Sequence, residues 1–412
     1  MAYVDLLFSK YDVYYNCKLD SFFVGNLRKN MDFSSSALQL ISAFIVFLVG
    51  WFVVLRIRKY FGSNLKRVSL LYIWHTILCI VYFWYIFYKG GDATGYFIRA
   101  ILDGFNNEFG LGTVGVTYLT TYLVQVLGLS FLGCFLVFNI FGSIGLIAFD
   151  STLKHTTQKS SRHLKLLATV IVFLPSVSFW SSALGKDSIS FMSACLALWA
   201  ALNFKKRIIL FIVAVLAMLL VRPHIAAAMV AAYALAFIFD QRVSIIQRLF
   251  IGSIAIVSSA VVVPLAMQYA GLGDAQNAAD IEAYIEQRQG HNLEGGSSVD
   301  ISSMSLPMQL FTYLFRPLPF EANSIFALAA SLDNIILLLL FILGIIAIFK
   351  KSKPLVESNR AFLWIYAMIV LFILATTTAN LGIAMRQKWM FAPILIFLLI
   401  SVIRPRKIKT KA

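Results

Sequence analysis

The sequence predicts an all-α fold: a polytopic membrane bundle of about 11 transmembrane helices, with further interfacial or re-entrant helices on its outer face. Two observations lead to this prediction. Of the 412 residues, 60% are hydrophobic and only 13% are charged, whereas soluble domains carry about 25% charged residues. The hydrophobic residues are gathered into long runs, with the charged residues in the intervals between them. This composition excludes a water-soluble surface.

Eleven apolar runs are candidate spans, because about 20 apolar residues in a helix cross a hydrocarbon core, and fewer suffice for a helix enclosed by protein. The runs are 37–55, 68–88, 130–149, 164–182, 188–204, 208–221, 225–239, 249–270, 326–348, 361–379 and 389–403.

Charge is sorted between the two ends of these runs. If successive runs cross the membrane in opposite directions, the connections on one side contain 23 of the 35 basic residues. Of the 19 acids, the same side contains only Asp150, Asp240 and Glu357. Short cytoplasmic loops are rich in Lys and Arg, so this side is predicted to be cytoplasmic. The N-terminus then lies outside and the C-terminus inside the cell. The net charge of +16 is explained by these loops and by contact with anionic lipids, so the expected partner is a lipid bilayer and no nucleic acid.

The predicted organisation is a single transmembrane domain, 37–403, between an extracytoplasmic segment, 1–36, and a basic cytoplasmic tail, 404–412. Its two large outer loops are 89–129 and 271–325. Within them, 111–128 and the proline-broken 305–320 predict interfacial or re-entrant helices that wall a vestibule, because broken backbone at membrane depth needs protein or water around it. Part of 271–304 is predicted to form a short amphipathic helix and a flexible lid, or else a plain solvated loop.

The first candidate site residue is Asp92, which follows two glycines just beyond the second run, with Tyr96 one helical turn later. An acid at the mouth of an apolar bundle is well placed to activate a hydroxyl or to hold a divalent cation. No cofactor is otherwise expected. The alternative is that Asp92 caps the helix that follows it.

Further candidates lie in the turn between the fourth and fifth runs, where Trp180, Lys186 and Asp187 accompany five serines. This mixture suits a sugar ring with a nearby phosphate, although a solvated turn is the competing interpretation. Arg222 and His224 lie between two short runs, so the arginine is predicted to lie below the outer surface. An intramembrane arginine is a functional candidate by default; a structural salt bridge to Asp187 or Asp92 is the alternative.

Arg316, Glu321, Arg386 and Lys388 occupy two later outer connections. With Arg222 and Lys186 they are predicted to form an outward-facing cationic set. Arginine binds diphosphate through paired hydrogen bonds and keeps its charge in poorly hydrated surroundings. The ligand implied is therefore anionic and associated with the membrane. Three of the four cysteines lie in apolar runs, and no metal-binding cysteine spacing is present.

A family resemblance rests on five short motifs: GDATGY at 91–96, FWSSALGKD at 179–187, RPH at 222–224, FRPLPFEAN at 315–323 and NLGIAMRQK at 380–388. With these motifs and its topology the chain resembles bacterial inner-membrane proteins of surface-polysaccharide assembly, namely O-antigen or exopolysaccharide polymerases and multi-span glycosyltransferases of the GT-C type. In the GT-C type an acid in the first outer loop serves as base or metal ligand, which corresponds to Asp92. O-antigen polymerases instead rely on outer-face arginines and a large later outer loop.

The resemblance implies a glycosyltransferase or polymerase that uses a polyprenyl-diphosphate-linked glycan in O-antigen, capsule or exopolysaccharide synthesis. It also implies other proteins of polysaccharide assembly as candidate partners. Arg222, Arg316 and Arg386 would hold the diphosphate, with Asp92 as base, His224 as substitute base, and Glu321 and Lys186 as orienting groups. The alternatives are a flippase or transporter for lipid-linked oligosaccharides, and a membrane acyltransferase using His224 or a non-catalytic scaffold. His75, inside the second run, is expected to serve helix packing.

Overall fold

The computed structural model describes residues 36–106, 108–238, 253, 297–322, 324–355 and 359–403. This part of the chain is helical and contains no β-strand, only an isolated bridge between Ser298 and Asn380. The all-α prediction is therefore confirmed. Apart from residue 253, the predicted span 249–270 lies outside the described residues. The same is true of residues 1–35, the loop 271–296, Asn323 and the tail 404–412.

Fifteen α-helices occur in the described part. They are α1 (Ala37–Ile57), α2 (Leu65–Lys89), α3 (Asp92–Leu102), α4 (Thr113–Thr121), α5 (Phe131–Thr157), α6 (Arg162–Val172), α7 (Pro175–Ser181), α8 (Lys186–Ala201), α9 (Phe204–Val221), α10 (Pro223–Ile238), α11 (Leu306–Phe315), α12 (Ile325–Phe349), α13 (Arg360–Thr377), α14 (Leu381–Gln387) and α15 (Ala392–Ile400).

Six of the described helical segments are long and apolar enough to cross a membrane: α1, α2, α5, α6 continued by α7, α12 and α13. A seventh results if Leu381–Met390 and Ala392–Ile400, bent by 61°, form one broken span. The protein is thus a helical membrane protein. The 11 separate spans expected from the sequence are not confirmed.

The difference arises from helices that coincide with predicted runs but are short. The helices α8 and α10 have only 16 residues each, about 24 Å, and α9 opens with Lys205, Lys206 and Arg207. Every residue of α8 from Ser188 to Ala201 is buried. A helix enclosed by other helices does not have to match the thickness of the bilayer. The apolar composition of α8 therefore reflects burial in the protein core rather than contact with lipid.

Helix ends follow local capping chemistry. The side chains of Asn64, Ser130 and Ser324 accept hydrogen bonds from backbone N–H groups in the first turns of α2, α5 and α12. Such caps satisfy donors that have no partner inside the helix. The two segments predicted to be interfacial contain α4 and α11, with 9 and 10 residues, which is too short to span a bilayer.

A buried polar cluster joins α2, α5 and α7 inside the bundle. His75 contacts Asn139 through Nδ1 at 2.6 Å and Ser181 Oγ through Nε2 at 3.0 Å, and Asn139 donates to Thr76 Oγ1 at 2.9 Å. All four side chains are at least 94% buried. Polar groups with mutual partners hold helices together where no water is available, so His75 has the packing role that the sequence suggested.

Two groups of charged residues lie at the two ends of α2, which are about 37 Å apart for a helix of 25 residues. At its beginning, Arg67 pairs with Asp150 of α5 at 2.6 Å, and Lys154 pairs with the same carboxylate at 3.0 Å. At its end, Lys89 is followed by Gly90, Gly91 and Asp92. The candidate site residues belong to this second end.

Candidate functional site

Four charged side chains from distant parts of the chain form one alternating network. The carboxylate of Asp187 lies between two arginines: Arg222 donates to its Oδ1 at 2.7 Å, and Arg386 Nε lies 3.4 Å from its Oδ2. Arg386 also donates to Asp92 Oδ2 at 2.9 Å. Thus Arg222 and Arg386, 164 positions apart in the sequence, meet at one carboxylate.

The network lies where three helices begin. Asp92 is the first residue of α3, Asp187 is the second residue of α8, and the carbonyl oxygen of Arg222 accepts from the N–H groups of Ile225 and Ala226 in the first turn of α10. Backbone dipoles make helix N-termini electropositive. The site therefore combines three such termini with two arginines, and this arrangement favours an anionic ligand.

Glycine makes two of these helix starts possible. Gly91 and Gly185 precede Asp92 and Lys186 with φ of 151° and 154°, a conformation that side chains rarely allow. The cap of α3 is thus Gly91, and no side-chain hydrogen bond caps this helix. The alternative interpretation of Asp92 as a helix cap is not what the structure shows, because its carboxylate accepts from Arg386 instead.

Arg222 is held in place by the break between helices α9 and α10. Its N–H donates to Met218 at the end of α9, while Pro223, which has no N–H to lose, begins α10. The residue is only 7% exposed, and its Nε has no hydrogen-bond partner among the described residues. The salt bridge considered as the alternative role of Arg222 is present, and one buried donor of the same side chain remains available to a ligand.

Arg386 is positioned by the short helix α14. The side chain of Asn380 caps this helix by accepting from Gly382 and Ile383, and it also accepts from Ser297 Oγ at 2.9 Å. Ser298 forms an antiparallel bridge with Asn380. The end of the long predicted outer loop is therefore attached to the helix that carries Arg386.

The exposed fraction of the side chains decreases steadily across the network, and this decrease shows at which residue the site meets the surface. The side chain of Asp92 is 64% exposed, that of Arg386 22%, that of Asp187 16% and that of Arg222 9%. Asp92 therefore lies at the entrance and Arg222 at the inner end.

Lys186 and Tyr96 lie within the electrostatic reach of Asp92 at this entrance. The charge of Lys186 acts on Asp92, and the buried phenol of Tyr96 lies in the field of all four network residues. Burial raises the pKa of Tyr96, and the two carboxylates raise it further, so the phenol remains a hydrogen-bond donor. Trp180 is half-buried, with its ring 5.4 Å from that of Tyr82.

Arg316 and Glu321 form a separate pair. Arg316 Nη2 lies 2.7 Å from Glu321 Oε1, and Oε2 accepts from Arg316 Nε and from the N–H of Leu318. Desolvation would raise the pKa of Glu321, but these two donors lower it below its ordinary value. Among the described residues, no ion pair or hydrogen bond joins this pair directly to Arg222 or Arg386, so the structure brings together only part of the predicted cationic set.

Lys388 lies inside the bundle rather than on its outer face. It is 1% exposed, and its ammonium group donates to Asn334 Oδ1. Asn334 in turn donates to the carbonyl oxygen of Pro317 at 3.1 Å. A buried ammonium needs such a partner because desolvation is costly, and the resulting chain of contacts attaches the Arg316 loop to the segment that follows Arg386.

His224 is half-buried in the first turn of α10, two residues beyond Arg222. The described residues contain no group of three or more His, Cys, Asp or Glu side chains that could hold a metal ion. The carboxylate of Asp92 is engaged by Arg386. The described surroundings of Asp92 therefore do not fit the divalent cation considered from the sequence.

Two residues of this region were not predicted from the sequence: Tyr82 and Tyr313. The buried phenol of Tyr82 lies in the field of Arg386, Asp187 and Asp92, and the buried phenol of Tyr313 lies in the field of Arg222 and Asp187. The only sequence signal was the helical spacing of Tyr82 with His75, which places both on one face of α2.

The ion pair at the entrance predicts a pH dependence. Although Asp92 is largely exposed, desolvation would raise its pKa; Arg386, Lys186 and Arg222 outweigh this and hold the pKa below its ordinary value of 3.8. A carboxyl group with a folded-state pKa below its unfolded-state value stabilises the fold above the unfolded value, and this stabilisation is lost as the pH falls through the folded value. The difference in melting temperature between the wild type and Asp92→Asn should therefore be constant from neutral pH to about pH 4 and shrink below it. A difference that shrinks between pH 7 and 5 would contradict the pairing.

The geometry describes an anion site that opens at Asp92 and ends at Arg222. Asp92, Asp187, Arg222 and Arg386, which form this site, come from four of the five short motifs singled out in the sequence. No protein-family model, curated protein or solved structure matches the chain.

Proposed function

We propose that the protein is a membrane glycosyltransferase or polymerase that transfers glycan from a polyprenyl-diphosphate-linked donor during synthesis of a surface polysaccharide. The observation that carries this proposal is the convergence of Arg222 and Arg386 on Asp187 at the inner end of a site that opens at Asp92. Three helix N-termini add positive potential at the same place. A diphosphate carried by a membrane lipid is the ligand whose charge fits this site.

The diphosphate would bind where the arginines now hold carboxylates. Counting Lys186, the network contains three cations and two carboxylates, so it carries one net positive charge before a ligand binds. The unpartnered Nε of Arg222 is available without breaking the existing pair with Asp187. Charge-assisted hydrogen bonds to a phosphate are about twice as strong as neutral ones, which supports tight binding at the buried end.

Asp92 would act on the acceptor. In the transfer step the acceptor hydroxyl oxygen forms a bond to the anomeric carbon, and the bond from this carbon to the phosphate oxygen breaks. The diphosphate leaves with the bonding electrons, and the hydroxyl proton passes to a carboxylate. Asp92 is the most exposed acid of the network, and its basicity would rise once the donor replaces it as counterion of Arg386, because an opposite charge nearby lowers a carboxyl pKa. His224 is the substitute base.

The remaining predicted residues would shape the site. Tyr96 would donate a hydrogen bond to the glycan or the phosphate, and Trp180 offers an aromatic face to a sugar ring at the entrance. Arg316 and Glu321 would orient the donor only if binding moves their loop, which is attached through Asn334 and Lys388. The transfer of the glycan to the acceptor hydroxyl does not itself require these roles.

The charge distribution supports a position at the outer face of the bacterial inner membrane. The site lies at the end of α2 opposite the Arg67 cluster, and the loops on the side of that cluster are those rich in Lys and Arg. The positive-inside rule then places Asp92 outside. Full membrane topology, with up to 11 spans, an outer N-terminus and a cytoplasmic C-terminus, is part of the same proposal.

Reconstitution tests this function. Full-length protein in proteoliposomes, supplied with a labelled polyprenyl-diphosphate-linked glycan, should form new glycosidic bonds and release polyprenyl diphosphate. Gel analysis of the glycan and thin-layer chromatography of the lipid measure the two products. Movement of the labelled lipid across the bilayer without bond formation would instead indicate a flippase, and acylation of the glycan from an added acyl donor would indicate an acyltransferase. Either outcome would overturn the proposal.

A further inference from the structure

A cavity with charged side chains in its lining lies at the other end of the bundle, between the last turns of α5 and the first half of α6. Its volume is about 230 Å³, below the roughly 300 Å³ at which pockets for drug-sized molecules begin. It therefore suits a small group rather than a whole sugar-lipid. The polar side chains that line it are Asp150, Lys154, Thr157, Gln158, Lys165 and Thr169.

The charges around this cavity are unbalanced. The carboxylate of Asp150 is 2% exposed and already accepts from Arg67 at 2.6 Å and from Lys154 at 3.0 Å. Lys165 also lines the cavity and has no acidic partner among the described residues. Lys154 and Lys165 line the cavity with Asp150, and Arg67 adjoins it through its pair with that carboxylate. Three cations therefore accompany a single carboxylate, and a net charge of about two positive units remains for a ligand to neutralise.

The cavity adjoins a surface that suits hydrocarbon. On α6, Lys165 and Thr169 line the cavity, and the adjacent residues Leu166 and Val170, also one turn apart, are 61% and 40% exposed. In a helix of a membrane protein, exposed leucine and valine beside the polar stripe face lipid chains. A bound molecule could place an anionic group between the lysines and its apolar tails along Leu166 and Val170.

We propose that this cavity binds the phosphodiester headgroup of an anionic membrane phospholipid. Basic pockets between transmembrane helices on the cytoplasmic side are suited to anionic headgroups, and each basic residue near the surface contributes about 1 kcal/mol of attraction. The lysines supply the charge, and Thr157, Gln158 and Thr169 supply polar groups around the phosphate. The site is separate from the Asp187 network, because the two lie at opposite ends of α2.

Native mass spectrometry of the full-length protein, released from nanodiscs containing phosphatidylcholine and phosphatidylglycerol, tests the proposal. The wild type should retain phosphatidylglycerol in preference to phosphatidylcholine. Lys165→Gln should weaken the retention of phosphatidylglycerol about fivefold, the equivalent of about 1 kcal/mol. Because Lys165 takes part in no described ion pair, this variant should fold normally. The double variant with Lys154→Gln should bind more weakly still.

The matched control is Lys206→Gln, which removes the same charge from an exposed residue of α9 outside the cavity. It should leave the retention of phosphatidylglycerol unchanged. Equal losses in Lys165→Gln and Lys206→Gln would show nonspecific attraction to the bilayer and overturn the site. Excess inorganic phosphate should not displace the lipid, since its acyl chains also contribute to binding; full displacement would identify a soluble phosphate site and reject the lipid.

Discussion

Arg386→Lys should reduce the rate of glycan transfer by about 100-fold or more, because a preorganised donor to developing charge contributes about this much to catalysis. Arg386 contacts Asp92 and Asp187 at the same time. A lysine keeps the charge but lacks the planar fork that can contact two anions together. The rate measured in proteoliposomes with a lipid-linked glycan donor should fall while the amount of inserted protein remains at the wild-type level.

Arg67→Lys is the matched control for this substitution. Arg67 also pairs with a buried aspartate, Asp150, but at the opposite end of α2. The control should retain most of the transfer rate, since its ion pair lies near the opposite end of α2, a helix about 37 Å long. Equal losses in the two variants would mean that Arg386 acts through general stability, and unchanged transfer in Arg386→Lys would reject the proposed site.

Gly142→Ala should destabilise the fold by about 3 kcal/mol and remove most of the folded protein. A Cβ atom at this position would lie 2.0 Å from the carbonyl oxygen of Ser181 and 2.6 Å from His75 Cε1. The first contact is with backbone, which no rotamer change relieves, so α5 and α7 have to separate. Separation would also stretch the contacts of His75 with Asn139 and Ser181. Thermal unfolding of the detergent-solubilised protein measures the loss.

Gly133→Ala in the same helix is the matched control. Its nearest new contacts are with side-chain atoms of Leu129 and Ser130 at 3.2 Å or more, and alanine has a higher helix propensity than glycine by about 1 kcal/mol. The melting temperature of this variant should therefore stay near the wild-type value. If Gly142→Ala were as stable as Gly133→Ala, the close approach of α5 and α7 would be wrong.

Much of the candidate site could be predicted from the sequence because its residues break strong local rules. Asp92, Asp187, Arg222 and Arg386 are charged residues at the ends of apolar runs, where their cost requires a reason. The sequence also suggested that Arg222 could pair with Asp187. It could not show that Arg386 joins the same carboxylate, since this depends on how α8, α10 and α14 pack.

Other expectations depended on which residues are buried, and burial is decided by helix packing rather than by the local sequence. Lys388 was placed on the outer surface by its position in the chain, but the structure buries it against Asn334. The apolar runs that became α8 and α10 were read as spans, although α8 is enclosed by protein. Hydropathy cannot distinguish a lipid-facing helix from one covered by other helices, because both require apolar side chains.

The sequence by itself determined the all-α membrane class and the sorting of charge, because composition and the period of apolar residues act locally along the chain. Only the tertiary structure decided which polar residues have partners. His75 contacts Asn139 and Ser181, Asp187 pairs with two arginines, and Lys388 donates to Asn334. Each pairing joins residues on different helices, so its free energy depends on packing geometry at distances of a few ångströms.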